Sequence, residues 1–224
     1  MKRYALYYAP EPSPLADFGA EWLGWDAERG VAVAHPDLGL PIADLTIAPR
    51  KYGLHATLKA PFRLQGSFED LDVAAAKLAA GLDPVMLEGL EITRLASFLA
   101  LRPTGDLTAL NQLAAAVTSG LDAHRAPLTE AEISRRNPDR LTPYQRDMLD
   151  KWGYPHVMED FRFHITLTSS LPDETLAEVE QVLYTHLDPI LPRPFVIRQI
   201  CLFGETQDGS FRLMKRYPLG HAAS

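Results

Sequence analysis

Two segments of this chain, HATLKAPF beginning at His55 and HITLTSSL beginning at His164, open the same succession of elements. Each leads into a helical pattern and then into a strand, beginning near Met86 in the first case and near Val196 in the second. The step from His55 to Met86 is 31 residues and that from His164 to Val196 is 32. Each half then continues into a further apolar strand. Strand–helix–strand–strand written twice is a degenerate internal repeat, not the short period of a solenoid. It predicts an α+β fold, bilobal and pseudo-symmetric, with two antiparallel sheets forming a central groove and helices on the outside. The two motif strands are expected face to face across that groove. At 224 residues and 46% hydrophobic content, the chain is long and apolar enough for one bilobal domain over residues 1–224.

Local signals fill in the elements. Residues 3–9 are aromatic-rich and read as a first strand. Ser13 followed by Pro14 reads as a helix cap, with the helix reaching about Trp22. Residues 24–50 are loop-rich, with a short strand at 31–34 and a short helix after Pro41. A strand over residues 54–60 is expected to stop at Pro61. Ser67 opens a helix that ends near Gly81, residues 85–94 and 97–102 form a strand pair, and Asp106 starts a helix reaching about His124. Residues 127–153 read as a helical insertion between the motif strands, with a capping box at Thr129 and Glu132 and a second helix start at Thr142, Pro143 and Gln145. After a strand in FRFHITLTSSL, a helix from Asp173 ends before Pro189, and a hairpin turns at Gln207-Asp208-Gly209.

The two segments share the pattern H-x-T-L. With 7 His, 13 Thr and 33 Leu, shuffling the chain yields about 0.06 copies. Residues i and i+2 of a strand lie on one face. His55 and Thr57 therefore point one way, and His164 and Thr166 do the same on their own strand. Two imidazoles beside two hydroxyls suit phosphodiester cleavage. A neutral His takes a proton from the attacking oxygen, and a protonated His gives one to the leaving oxygen. The hydroxyls donate to the non-bridging phosphate oxygens. Such chemistry needs no metal and no cofactor. By the same alternation Lys59, Thr168 and Arg162 extend these faces and are candidate substrate contacts, and Tyr52 is a candidate groove-lining ring. Tyr4 and Tyr8 read as packing residues. His35, His124, His186 and His221 have no repeat partner; His124 and His186 sit near helix C-termini. His156 lies close before the second motif and is a weaker candidate for the mouth of the cleft.

The paired H-x-T-L motifs resemble the 2H phosphoesterase superfamily, which takes its name from its two histidines. The resemblance implies a bilobal α+β fold, a groove between two sheets, and cyclic or 2′,5′-type phosphoester substrates, with His55 and His164 catalytic and Thr57 and Thr166 on the substrate. The stretches RYALYYAP and WGYPHVMEDFRFHITLT look like a bacterial branch associated with phosphonate metabolism, which implies a small cyclic phosphate, such as that of a sugar. Two alternatives stay open: an enzyme acting on 2′,3′-cyclic or 2′,5′-linked RNA ends, and a non-catalytic module that holds a phosphorylated ligand.

Composition bears on the partners. A net charge of -7 speaks against a long nucleic acid but permits a small anionic phosphoester, since local cations outweigh the global charge. The single Cys201 suits a reducing compartment, and no run of residues has the length and apolarity of a membrane helix or signal peptide; the expected location is cytoplasmic. No P-loop lysine motif and no H-E-x-x-H occur.

Overall fold

The computed structural model describes residues 1–220. Along the chain the strands are β1 (Tyr4–Tyr8), β2 (Trp25–Asp26), β3 (Val31–Ala32), β4 (Ala56–Phe62), β5 (Val85–Leu87), β6 (Gly89–Leu95), β7 (Phe98–Thr104), β8 (Ile165–Thr166), β9 (Phe195–Ile197), β10 (Gln199–Glu205) and β11 (Phe211–Pro218). The α-helices are α1 (Pro14–Leu23), α2 (Ile42–Leu45), α3 (Ile47–Arg50), α4 (Phe68–Ala80), α5 (Thr108–Gly120), α6 (Glu130–Ser134), α7 (Pro143–Trp152) and α8 (Asp173–His186).

Their termini follow the local chemistry. The Ser13 and Ser67 hydroxyls accept from the Ala16 and Asp70 amides at the starts of α1 and α4. Thr129 with Glu132, and Thr142 with Gln145, form full capping boxes on α6 and α7. The α7 helix stops at Gly153, whose φ of 73° is left-handed.

The fold is α+β, and the repeat is present in it. Strand β5 pairs antiparallel with β9, with Met86 opposite Val196, so the two positions that match in sequence meet each other. The two half-sheets, however, are not separate. They join edge to edge into one seven-stranded sheet of order β11-β10-β1-β4-β8-β7-β6. The hairpin β6–β7, which follows the first motif in sequence, sits beside the second motif strand. The hairpin β10–β11, which follows the second motif, reaches the first through β1. The joint is a short ladder in which Ala56 of β4 stands opposite Ile165 of β8. The reason is that β4 and β8 both leave an edge open after the hairpins are placed, and pairing satisfies backbone groups that burial would strand. The motif strands are thus neighbours on one sheet face.

The other face carries the main core. Leu6, Tyr8, Ala56 and Leu58 of β1 and β4, and Leu99, Leu101, Ile165 and Leu167 on and beside β7 and β8, pack against Leu71, Leu110, Val117, Leu176 and Val179 of the helices. Full burial of such a side chain contributes about 1.5–3 kcal/mol. Tyr8 lies in this core and Tyr4 packs against it, as their alternation predicts. Helix α1 is tied to the second motif by Trp22, whose indole N–H donates to the Leu167 carbonyl at 2.8 Å. Among the described residues no helix is long and apolar enough to cross a membrane.

Several boundaries depart from the sequence reading: β4 starts at Ala56 and not at 54, residues 85–94 divide into β5 and β6, β3 ends at Ala32, α5 ends at Gly120, and the ends of the two motif strands differ as well. Strand β4 runs through Pro61 to Phe62, because the ladder with β1 is already shifted there and needs no amide from that residue. The second motif strand is only Ile165–Thr166, because the Leu167 and Thr168 amides both turn to the single carbonyl of Leu99 and end the ladder.

Candidate active site

The four motif side chains form a two-by-two array. Carrying the Ala56–Ile165 register one residue each way puts Thr57 opposite His164 and His55 opposite Thr166. Each histidine therefore has the other strand's threonine as its cross-strand neighbour. The histidines occupy one diagonal and the threonines the other, with diagonal positions about 7–8 Å apart.

Both rings are oriented by the same device. His55 Nδ1 lies 2.9 Å from the Gly53 carbonyl, and His164 Nδ1 lies 2.8 Å from the Arg162 carbonyl, in each case two residues back. A carbonyl only accepts, so Nδ1–H donates in both rings and Nε2 is left for the groove. In the first strand this needs Gly53, whose φ of 71° is left-handed and whose Cβ, if present, would lie 2.8 Å from Ala27 Cβ. Close contact continues one residue on. A Cβ on Gly19 of α1 would lie 2.4 Å from Leu54 Cδ2, so the helix seats directly on the residue before His55. Among the described residues the Thr57 and Thr166 hydroxyls make no hydrogen bond to protein.

The surroundings of the two histidines differ. The His55 ring lies 4.2 Å from the Tyr7 ring and 5.2 Å from the Tyr52 ring, which itself stacks on Phe211 at 4.9 Å. Tyr7 is 1% exposed. Burial among these rings pushes the His55 pKa down to about 4, with the Gly53 hydrogen bond opposing and the nearby His164 charge adding to the fall. His164 has Phe98 at 6.0 Å as its aromatic neighbour and is the more open of the two.

The groove has two compartments. One, of about 340 Å³, is lined by His55, Thr57, Thr166, Tyr7, Tyr52 and Arg136, among others. The other, of about 460 Å³, is lined by His164, Thr57, Arg162, His156, Asp160 and Gln145, among others. Thr57, Ala60 and Tyr154 line both, so the compartments adjoin along Tyr154. Arg136, Gln145 and Tyr154 come from the segment at and just beyond residues 127–153.

Tyr52 and Arg162 are therefore at the groove, the latter with one guanidinium nitrogen on the Glu159 and Phe161 carbonyls. Lys59 and Thr168 are not, which corrects the expectation for both. A bulge in β4 lets Leu6 pair with Lys59 and Tyr7 with Thr57, so the alternation slips by one and Lys59 turns to the helix side. There Lys59 is 3% exposed and donates to the Thr118 carbonyl at 2.8 Å and to Asp122 at 3.0 Å. Thr168 is 1% exposed, and its hydroxyl accepts from the Leu99 amide at 3.0 Å across the bulge that ends β8. His156 lines the His164 compartment with its Nδ1 2.8 Å from Asp160, which also accepts from Gln145. His35 bridges the Glu21 and Trp22 carbonyls behind α1. His221 lies outside the described residues.

Tyr7, Arg3 and Tyr154 line the groove without having been singled out in the sequence, and Arg136, which with Arg135 reads in the sequence as part of a solvated face, lines it too. For Tyr7 a signal existed. In YALYY the position that alternates away from Tyr4, Leu6 and Tyr8 is the groove side. Arg3, Arg136 and Tyr154 carry no such pattern. Among the described residues no three His, Cys, Asp or Glu are grouped to hold a metal ion.

Known proteins resemble this chain at several levels. Two relatives carry the name Ribose 1,5-bisphosphate phosphokinase PhnN. The protein of Janthinobacterium sp. (strain Marseille) is 40% identical over 178 residues, 76% of this chain and 39% of that protein. The protein of Laribacter hongkongensis (strain HLHK9) is 35% identical over 227 residues, 95% of this chain and 51% of that protein. The chain thus spans about half or less of the length of these relatives. Among solved structures, E. coli LigT complexed with 3′-AMP aligns over 97% of this chain and 98% of its own, at 16% identity and a TM-score of 0.47. A structure described as a phosphoesterase aligns over 98% of both chains, at 14% identity and a TM-score of 0.45. Residues 57–212 match the model of the family described as Protein of unknown function (DUF1045), and the chain belongs to that family.

Proposed function

We propose that this protein is a metal-independent phosphodiesterase that hydrolyses a small cyclic phosphodiester with two histidines as general base and general acid. The observation that carries the reading is the diagonal array. A phosphate centred on it has one imidazole on each side, as in-line displacement requires, and a threonine hydroxyl for each non-bridging oxygen.

The difference in surroundings divides the roles. His55, held neutral by burial, accepts the proton of the attacking water through Nε2. The water oxygen bonds to phosphorus, the bond from phosphorus to the leaving oxygen breaks, and protonated His164 donates its Nε2 proton to that oxygen. Turnover leaves His55 protonated and His164 neutral, and exchange with solvent restores both.

The compartments, about 340 and about 460 Å³, suit a small organic phosphate. A cyclic sugar phosphate of phosphonate metabolism is the substrate we favour. The relatives named as ribose 1,5-bisphosphate phosphokinases support it, since a region like this chain shares a polypeptide with them. Their kinase activity is not carried over, because this chain has no P-loop lysine motif. The net charge of -7 favours a small substrate over a long RNA.

The test is turnover of cyclic phosphodiesters by His55→Ala and His164→Ala. Each is expected to lose about 10²–10⁴-fold in kcat while remaining folded, with EDTA without effect on the wild type. Full activity in either variant excludes the assignment. Tight binding of cyclic phosphodiesters without turnover by the wild type would point to the binding-module alternative.

A further inference from the structure

The compartment that holds His55 ends in guanidinium groups. Arg3 and Arg136 line it, and both also line an adjoining cavity of about 170 Å³ together with Arg135. Three arginines thus converge on one end of the groove in a chain whose net charge is -7. The carboxylates beside them are already engaged. Glu205 takes two N–H groups of Arg3, at 2.6 and 3.0 Å. Glu132 accepts from Arg63 and closes the Thr129 capping box. Among the described residues Arg135 and Arg136 have no carboxylate within salt-bridge reach.

Arg136 is the most telling of the three. Its guanidinium lies 4.8 Å from the centroid of the Tyr154 ring, the ring that separates the two compartments. Stacking holds the planar group at the cavity wall and leaves its five N–H donors without a side-chain or backbone acceptor among the described residues. Uncompensated guanidinium at a cavity wall favours an anion with several acceptor oxygens, and phosphate monoester matches the fork of an arginine best. A scissile phosphodiester carries one negative charge and sits on the histidine–threonine array. A second, dianionic group is what the arginine end is suited to hold.

We infer that the substrate carries a phosphate monoester in addition to its cyclic phosphodiester, and that Arg136, with Arg3 and Arg135, binds it at the His55 end of the groove. This rests on the phosphodiesterase reading above and names its substrate class. The sugar spans from the array to the arginines, along the walls formed by Tyr52 and Tyr154. The monoester anchors the substrate and sets which ester oxygen faces His164.

The experiment compares a nucleoside 2′,3′-cyclic phosphate with the same compound bearing a 5′-phosphate, using wild type, Arg136→Ala and Arg136→Lys. The wild type is expected to prefer the 5′-phosphorylated compound by at least about 10-fold in kcat/KM, mainly through KM. In Arg136→Ala that ratio falls to about 1, and in Arg136→Lys it is partly kept, because the charge remains without the fork. Folding is checked by thermal melting; the Arg136 side chain makes no hydrogen bond among the described residues that its loss would strand. Turnover of both compounds at equal efficiency by the wild type overturns the monoester site and leaves the phosphodiesterase reading intact. An unchanged ratio in Arg136→Ala overturns the part assigned to that residue. No turnover of either compound by the wild type overturns both.

Discussion

The same four-residue pattern occurs on β4 and on β8, and the two copies sit in different places. On β4 the motif lies on a seven-residue strand, its histidine is packed between two tyrosine rings, and its neutral form is favoured. On β8 the strand is two residues long, and the histidine opens onto a compartment with His156, Asp160 and Arg162. The covalent chemistry of the imidazoles is identical. The contrast teaches that a duplicated motif supplies two imidazoles and leaves the environment of each to what packs against it; in the proposed mechanism that difference divides base from acid.

The sharpest way to break this comparison is a substrate whose leaving group needs no proton. With a p-nitrophenyl phosphodiester, His164→Ala should retain most of the wild-type rate, whereas His55→Ala should remain slower by about 10²–10⁴-fold. On a substrate with an alkoxide leaving group both variants should lose about that factor. If nitrophenolate release rescues His55→Ala instead, the roles are reversed.

The threonines should behave alike, since each faces the opposite strand's histidine in the same register. Thr57→Val and Thr166→Val should each lower kcat by about 10²-fold with little change in thermal stability. A loss confined to one of them would show that the phosphate sits off the centre of the array.

Lys59 tests the bulge that distinguishes β4. Lys59→Met should leave kcat/KM within about 2-fold and lower stability by about 2 kcal/mol in urea titrations. That is below the roughly 3–5 kcal/mol of a fully stranded ion-pair partner, because Arg125 still holds Asp122. Loss of activity at full stability would return Lys59 to the groove.

The smallest effects are in pH. The acidic limb of kcat/KM should fall with a midpoint near His55's value of about 4, well below the ordinary 6.5. Because the folded value lies under the unfolded one, the unfolded chain binds the extra proton between them. Stability from the neutral ring is therefore present above pH 6.5 and lost as pH falls towards about 4. NMR titration of His164→Ala should show the His55 value rising but staying below 6.5, since burial is the larger cause and the His164 charge the smaller.

Much of this molecule was legible in its sequence, and the pattern of success has a physical basis. The caps at Ser13, Ser67, Thr129 and Thr142 are side-chain to backbone bonds within three residues, so the chain announces them locally. The i, i+2 rule put His55 with Thr57 and His164 with Thr166, and all four line the groove compartments, each histidine standing one residue before its strand. It failed at Lys59 and Thr168, where one extra residue in the ladder turns later side chains to the other face. Bulges are set by the partner strand, and the partner strand is invisible in the segment itself.

The sequence alone determined the α+β class and marked the two H-x-T-L copies as candidates, since each depends on spacing along the chain. Tertiary structure decided that the motif strands lie side by side and not face to face, because that depends on which edges remain unpaired once the hairpins cross over. It also set the Tyr7 and Tyr52 rings against His55 and brought Arg3 and Arg136, 133 positions apart, to one cavity. Burial and the convergence of charge are properties of the packed molecule, and a linear pattern does not contain them.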